Sequence, residues 1–173
     1  MLQNENILLR APEPSDVDFL FELENDIKLW HVSQTRNPLS RFDMEQYIFS
    51  LEKDPFKAGN VRFIIESAVE KNILGTVDLF EIDALNKRAG VGIVILEKYR
   101  NKGYAFEALS LVKKYSFEVL DLHQLYCNIE TDNELSLKLF TSAGYEISGV
   151  KKEWNRKNGR WIDEYFLQLI NSI

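Results

Sequence analysis

The sequence predicts an α+β (mixed α/β) fold, a mixed sheet with helices packed on it, and three observations carry that prediction. Two pairs of apolar, β-rich runs flank short polar turns: 61–66 with 73–80 around Glu70-Lys71-Asn72, and 145–154 with 161–169 around Lys157-Asn158-Gly159. Helical periodicity recurs between and before them, at 15–25, 43–52, after Gly103 and at 134–143. A strand-like run at 88–96 passes through a short basic loop directly into one of those helices. A chain of 173 residues, 45% hydrophobic and 12% aromatic, suits a single domain spanning 1–173 whose core needs no staples.

Taken in order, Ile7 to Arg10 reads as a first strand stopped by Pro12 and Pro14. Ser15 with Asp18 resembles a capping box, and Val17, Leu20, Phe21 and Leu23 supply the apolar face of the helix it opens. Residues 29–33 continue that helix irregularly, and Met44, Tyr47, Ile48 and Leu51 mark a second one. The runs at 61–66 and 73–80 should pair as an antiparallel hairpin, and 83–86 turns the chain into the strand at 88–96. Leu109, Val112, Tyr115 and Ser116 continue the helix that follows Gly103. A strand at 124–130, a helix at 134–143 ended by Gly144, and a hairpin turned at Asn158-Gly159 complete the chain.

The segment Val91 to Ala108 carries the first functional signal. A helix N-terminus leaves backbone N–H groups unpaired and carries partial positive charge, so a phosphate can be held there by main chain alone. Gly103 lets the backbone approach a ligand, Ala105 keeps the next turn open, and Arg100 and Lys102 concentrate positive charge in a chain of net charge −6. That acidic balance disfavours nucleic acid as a partner and accords with a cationic substrate. The one cysteine excludes an internal disulfide framework, and with two histidines there is no cluster spaced for zinc, so no metal is expected. No apolar run is long enough to span a bilayer and no signal peptide opens the chain, so the expectation is a cytoplasmic protein without a membrane partner.

Strand, Arg100-x-x-Gly103-x-Ala105, helix, strand, then Asn133-x-x-Ser136-x-x-Leu139 and Gly144-Tyr145 resembles the GNAT superfamily of acetyl-CoA-dependent N-acetyltransferases over roughly residues 7 to 169. Residues 75–82, Lys87-Arg88-Ala89, Tyr126 and the 158–161 turn are similar to the bacterial spermidine/spermine N-acetyltransferases and to relatives that acetylate ribosomal-protein N-termini. The resemblance implies a mostly antiparallel central sheet of about seven strands flanked by about four helices, with a V-shaped coenzyme A cleft. It further implies acetyl-CoA as co-substrate, with the amides of Arg100, Asn101, Lys102, Gly103, Tyr104 and Ala105 on its pyrophosphate. Ile93 and Ile95 match strand positions whose main chain pairs with the pantetheine arm, beside a bulge that frees an N–H for the thioester oxygen. Asn133 matches a pantetheine ligand, and Lys138 lies near the adenosine phosphates. Read without the resemblance, Ile93 and Ile95 are sheet-core residues, Asn133 is a helix N-cap and Lys138 is a solvated lysine.

Acetyl transfer to an amine needs a neutral nucleophile. An alkylamine with a pKa of about 10.4 reaches that state at pH 7 at a cost of about 4–5 kcal/mol, whereas releasing a thiolate costs about 2 kcal/mol at most. Glu81 matches an active-site carboxylate of the polyamine enzymes and is the expected base, with Asp78 and Asp83 as alternatives. Strict alternation would put Asp78 on the face opposite Glu81, provided no bulge intervenes. The family's thiolate acid is a tyrosine at the position of Phe140, which leaves solvent, Tyr145 or Cys127 to supply that proton. Glu22, Glu24 and Asp26 are candidates for an acidic lining, and Trp30, His31, Trp154 and Trp161 for the walls of an acceptor pocket. The substrate expectation is a polyamine or other small amine, with an N-terminal peptide of a ribosomal protein as alternative. A catalytically weak coenzyme A-binding protein is the third reading, motivated by Phe140, and homo-oligomer and monomer both stay open.

Overall fold

Alternation along the strands decides the architecture, because it sends one set of side chains to each face of a single eight-stranded sheet. The computed structural model describes residues 2–30 and 37–171; His31 and the end of the irregular stretch expected at 29–33 lie outside them. The strands are β1 (Leu2–Gln3), β2 (Ile7–Arg10), β3 (Val61–Ser67), β4 (Ile73–Asp83), β5 (Arg88–Ile95), β6 (Gln124–Glu130), β7 (Glu146–Lys157) and β8 (Arg160–Ile170). Their order is β1-β2-β3-β4-β5-β6-β8-β7. Every neighbouring pair is antiparallel except β5 with β6, whose parallel pairing requires a crossover. That crossover is the helix α4 (Tyr104–Lys114), extended by a π-turn over Tyr115–Val119. Among the described residues the remaining α-helices are α1 (Val17–Glu24), α2 (Arg41–Phe49), the single turn α3 (Pro55–Ala58) and α5 (Glu134–Ser142).

On one face Phe63, Val77, Leu79, Val91, Leu125, Cys127 and Leu167 meet Ala108, Leu109 and Val112 of α4 and Phe140 of α5 in the main core. On the other, Ile64 meets Leu20 of α1 and Met44 and Ile48 of α2, and each fully buried aliphatic there contributes about 1.5–3 kcal/mol. These two helices cover only the β3 side of that face, and toward β6 and β8 it opens into a cavity of about 600 Å³.

Several expectations shift. Among the described residues the strand β1 and the turn α3 raise the counts to eight and five, because a two-residue strand and a four-residue helix carry no periodicity of their own. The first helix starts differently: Asp16, not Asp18, reaches back to accept from the Glu13 N–H at 2.7 Å, and Pro14 opens a turn of 3-10 helix ahead of α1. The second is Arg41–Phe49, capped by Ser40, whose Oγ accepts from Asp43 N at 3.1 Å. The bulge expected in β5 is absent from its pairing with β4, which runs in register from Gly75–Ile95 to Phe80–Gly90. The irregularity lies in β4, between Phe80 and Asp83, where Glu81 takes φ 49°.

Candidate active site

The parallel ladder between β5 and β6 ends at Gly90–Tyr126, after which β5 runs on to Ile95 paired with β4 and β6 runs on to Glu130 paired with β8. The two strands therefore part in a V. On the β5 side, Leu96 and the turn Glu97–Tyr99 lead into the basic loop. Arg100 folds back so that its Nε donates to the Ile95 carbonyl at 3.0 Å, bracing the loop against the strand end and engaging part of the Ile95 main chain. Asn101 and Gly103 take φ 60° and 87°, and Gly103 becomes the N-cap of α4 with no side-chain cap. The first-turn N–H groups of α4 thus have no intrahelical acceptor, and a Cβ at Gly103 would meet nothing within 4 Å, so the space before the helix is open. Arg100, Asn101, Lys102 and Gly103 are exposed there, and the Lys102 ammonium sits 5.7 Å from the Tyr99 ring centre. Tyr104 and Ala105 pack against the main core. This donor set fits a pyrophosphate: unpaired amides at the positive end of an eleven-residue helix, with cations beside them.

Ile95 is buried and Ile93 partly so, both against the main core, so only their main chain faces the V. Asn133 is the N-cap of α5, its Oδ1 accepting from Ser136 N at 3.1 Å, which leaves Nδ2 to meet a ligand. Lys138 is exposed on the same helix. Ile95 thus packs in the core and accepts from Arg100, and Asn133 caps its helix, as their sequence positions read without the resemblance.

The cavity on the other face is organised by the β4 bulge. An extra residue there turns Glu81 to the face that Asp78 and Phe80 already line, so the expectation from strict alternation gives way. The Tyr126 hydroxyl donates to Glu81 Oε2. Its ring is held between Phe80, edge-on at 6.0 Å, and Phe166 at 5.4 Å. Phe80 can lie there because position 90 is glycine: a Cβ would come within 2.2 Å of the ring. Burial, and then the Glu81 hydrogen bond, raise the Tyr126 phenol above its ordinary range, so it stays a donor at neutral pH.

The alternatives to Glu81 are committed elsewhere. Asp78 accepts from Arg62 at 2.7 and 3.1 Å, and Arg62 also holds Glu24 at 2.5 Å beneath α1. Asp83 caps the turn at Asn86 and pairs with Arg88 at 3.2 Å; the Asn86 hydrogen bonds hold its carboxyl below the usual range. Glu22 and Asp26 are exposed, Trp30 donates to the Glu24 carbonyl, and none of the three lines the cavity. Trp154 does line it, whereas Trp161 does not. Phe140 is buried edge-on against Tyr145 at 5.0 Å. Tyr145 and Cys127 lie in the main core, where burial pushes the thiol up to about 12 and the phenol higher still, so neither is a ready acid. Among the described residues no group of three or more His, Cys, Asp or Glu is placed to hold a metal ion, and no helix is long and apolar enough to cross a membrane.

Sequence reasoning assigned no role to Tyr126 and did not reach Asn128, Lys151, Glu164 or Phe166. The signal that could have found them is alternation: Tyr126 and Asn128 punctuate the apolar Leu125, Cys127 and Ile129, which marks β6 as a strand with one open face.

A family model described as an acetyltransferase (GNAT) domain matches residues 6–146. The spermidine N(1)-acetyltransferase of Vibrio cholerae is 28% identical over 172 residues, covering 98% of this chain and 95% of that protein. The crystal structure of spermidine N-acetyltransferase from that organism in complex with CoA and spermine superposes with a TM-score of 0.86 at 27% identity, covering 98% of both chains. A dodecameric structure of the Vibrio cholerae enzyme in an intermediate state gives 0.81 at 28% identity over 98% of this chain and 96% of that one.

Proposed function

The chain belongs to the acetyltransferase (GNAT) domain family, and on that premise we propose that it is an acetyl-CoA-dependent N-acetyltransferase whose acceptor is a primary amine, a polyamine or other small amine. Residues 1–173 act as one acetyltransferase domain. When bound, acetyl-CoA supplies the acetyl thioester. The first-turn amides of α4 with Arg100, Asn101, Lys102, Gly103, Tyr104 and Ala105 hold its pyrophosphate, and Lys138 attracts its outer phosphates. The main chain of Ile93 and Ile95 and the Asn133 amide line the pantetheine arm.

The observation that carries the acceptor reading is the state of Glu81. Of the three carboxylates lining the cavity it is the one without a cation partner among the described residues, and it stands where β5 and β6 part. An incoming ammonium meets its missing counter-charge there, and Glu81 takes the proton that must leave before the nitrogen can attack. Tyr126 fixes the carboxylate in place. The thiolate takes its proton from solvent, a step that costs about 2 kcal/mol at most and does not need a tyrosine at position 140.

Spermine in the Vibrio cholerae complex supports a polyamine ahead of an N-terminal peptide. By the same likeness, copies of this chain assemble into a homo-oligomer, which light scattering would reveal. We place the reaction in the cytoplasm, where a free thiol such as Cys127 persists reduced.

The test is direct. Pure protein is incubated with acetyl-CoA and a panel of spermidine, spermine, simple alkylamines and N-terminal peptides, and free thiol is followed. Turnover on the amines is expected. No turnover on any acceptor, with acetyl-CoA still raising thermal stability, would instead identify a catalytically weak coenzyme A binder. Glu81→Gln should lower turnover by about 10²-fold at pH 7 and converge on the wild type toward pH 10, where the amine sheds its own proton. An unchanged pH profile would reject Glu81 as the base.

A further inference from the structure

The acceptor cavity already contains an alkylammonium, and it belongs to the protein. Lys151 Nζ donates to Asn128 Oδ1 at 2.8 Å and to Glu164 Oε1 at 3.0 Å, and it stands 5.0 Å from the ring centre of Trp154 and 5.8 Å from that of Phe166. Two aromatic faces, a carboxylate and a neutral carbonyl oxygen are the groups that bind a free alkylammonium, because they satisfy its charge and its donors together. Glu164 is 7% exposed, and its second oxygen accepts from Asn155 Nδ2 at 2.9 Å, so its position is set by the fold. Trp154 reaches this place through an irregularity in β7: pairing jumps from Lys151–Glu164 to Asn155–Ile162, and Lys152, Glu153 and Trp154 stand against Asp163 alone.

The spacing relates this cage to Glu81. Asn128 and Tyr126 are consecutive same-face residues of β6, about 7 Å apart along the strand. Tyr126 holds the Glu81 carboxylate and Asn128 holds the Lys151 ammonium. One cavity therefore has two cation positions, held by side chains that start about 7 Å apart on one strand, the length scale of a short aliphatic diamine or one arm of a polyamine.

We propose that Trp154, Phe166, Glu164 and Asn128 form a second ammonium subsite of the acceptor pocket, that Lys151 fills it in the resting protein, and that Lys151 thereby sets acceptor specificity. A monoamine needs only Glu81 and is indifferent to Lys151. A polyamine must displace the Lys151 ammonium before its distal ammonium can be held, so the lysine lowers the advantage that a second charge would otherwise give. The inference rests on reading the cavity as the acceptor site.

The experiment compares the wild type with Lys151→Met, which keeps the stem and removes the charge, and with Lys151→Gln, whose amide still donates to Glu164 should the methionine variant fail to fold. For each, kcat/KM is measured with spermidine and with butylamine. Either variant should raise the spermidine-to-butylamine ratio about tenfold, chiefly through a lower KM for spermidine. The double variant Lys151→Met/Glu164→Gln, which removes both charges, should return the ratio to the wild-type value or below it. A ratio that is unchanged or falls in the single variants overturns the proposal. Calorimetric titration with spermidine in the absence of acetyl-CoA separates this from the acetyltransferase reading. Tighter binding to the single variants than to the wild type, lost again in the double variant, supports the subsite even if no acceptor turns over. Equal binding to all of them sinks it.

Discussion

At the scale of single residues, Glu81 and Tyr126 are coupled across the sheet by one hydrogen bond. Tyr126→Phe keeps the ring between Phe80 and Phe166 and removes only the donor, so it should lower kcat about tenfold with no change in the thermal midpoint; equal loss of both would assign the residue to packing. A second pair controls stability instead. Arg10 binds both oxygens of Asp16 at 2.7 and 2.9 Å, and also Glu66 at 2.6 Å. Burial works to raise the Asp16 carboxyl, but the hydrogen bonds from Arg10 and from the Glu13 N–H hold it below the usual aspartate range. A depressed carboxyl contributes stability that is fully present above its unfolded pKa near 4 and is lost as pH falls through the folded value. Asp16→Asn should therefore cost about 2–3 kcal/mol at pH 7, less than a wholly buried pair because Arg10 is one-fifth exposed. In urea titrations the gap between variant and wild type should close as the pH drops below 4.

At the scale of elements, the site depends on two bulges and one glycine. The β4 bulge brings Glu81 to the cavity and the β7 irregularity brings Trp154, while Gly90 of β5 leaves room for the Phe80 ring. Gly90→Ala puts a methyl group within 2.2 Å of that ring. Because Phe80 and Tyr126 pack edge to face, the displaced ring must push on the residue that holds Glu81. A destabilisation of about 1–3 kcal/mol is expected, together with a fall in turnover larger than stability explains. Full activity in the folded variant would show that Phe80 can move without disturbing Glu81. The donor element obeys different physics. On the proposed reading the groups that α4 offers to coenzyme A are backbone amides, so side-chain changes at Asn101 or Lys102 should raise the KM for acetyl-CoA only a few-fold.

For the whole molecule, acetyl-CoA that binds the folded chain alone must stabilise it by mass action. At a hundred times its Kd the gain is about 2.7 kcal/mol, which for a chain of this size is a thermal shift of about 5–10 °C, measurable by scanning fluorimetry. Much of the molecule was legible in its sequence. The hairpins at 70–72 and 158–159, the helix after Gly103 and the succession of the longer strands along the chain follow from local turn chemistry and periodicity, which act over a few residues and need no knowledge of partners. Gly103, with φ 87° at the head of α4, illustrates this: neighbouring residues alone specify a helix start with open amides. The cavity beside β6 and β8 was not legible in the same way. That Glu81 stands beside Tyr126, or Lys151 between Glu164 and Trp154, depends on the register of strands far apart in the chain and on bulges that shift it. A bulge is set by which pairing satisfies both sheet faces at once, so only the assembled sheet decides it. The sequence by itself thus determined the longer elements and the glycine loop that opens α4, because local backbone chemistry builds them. The tertiary structure decided which cavity carboxylate is left without a cation among the described residues and which lysine enters the cavity, because those pairings are long-range.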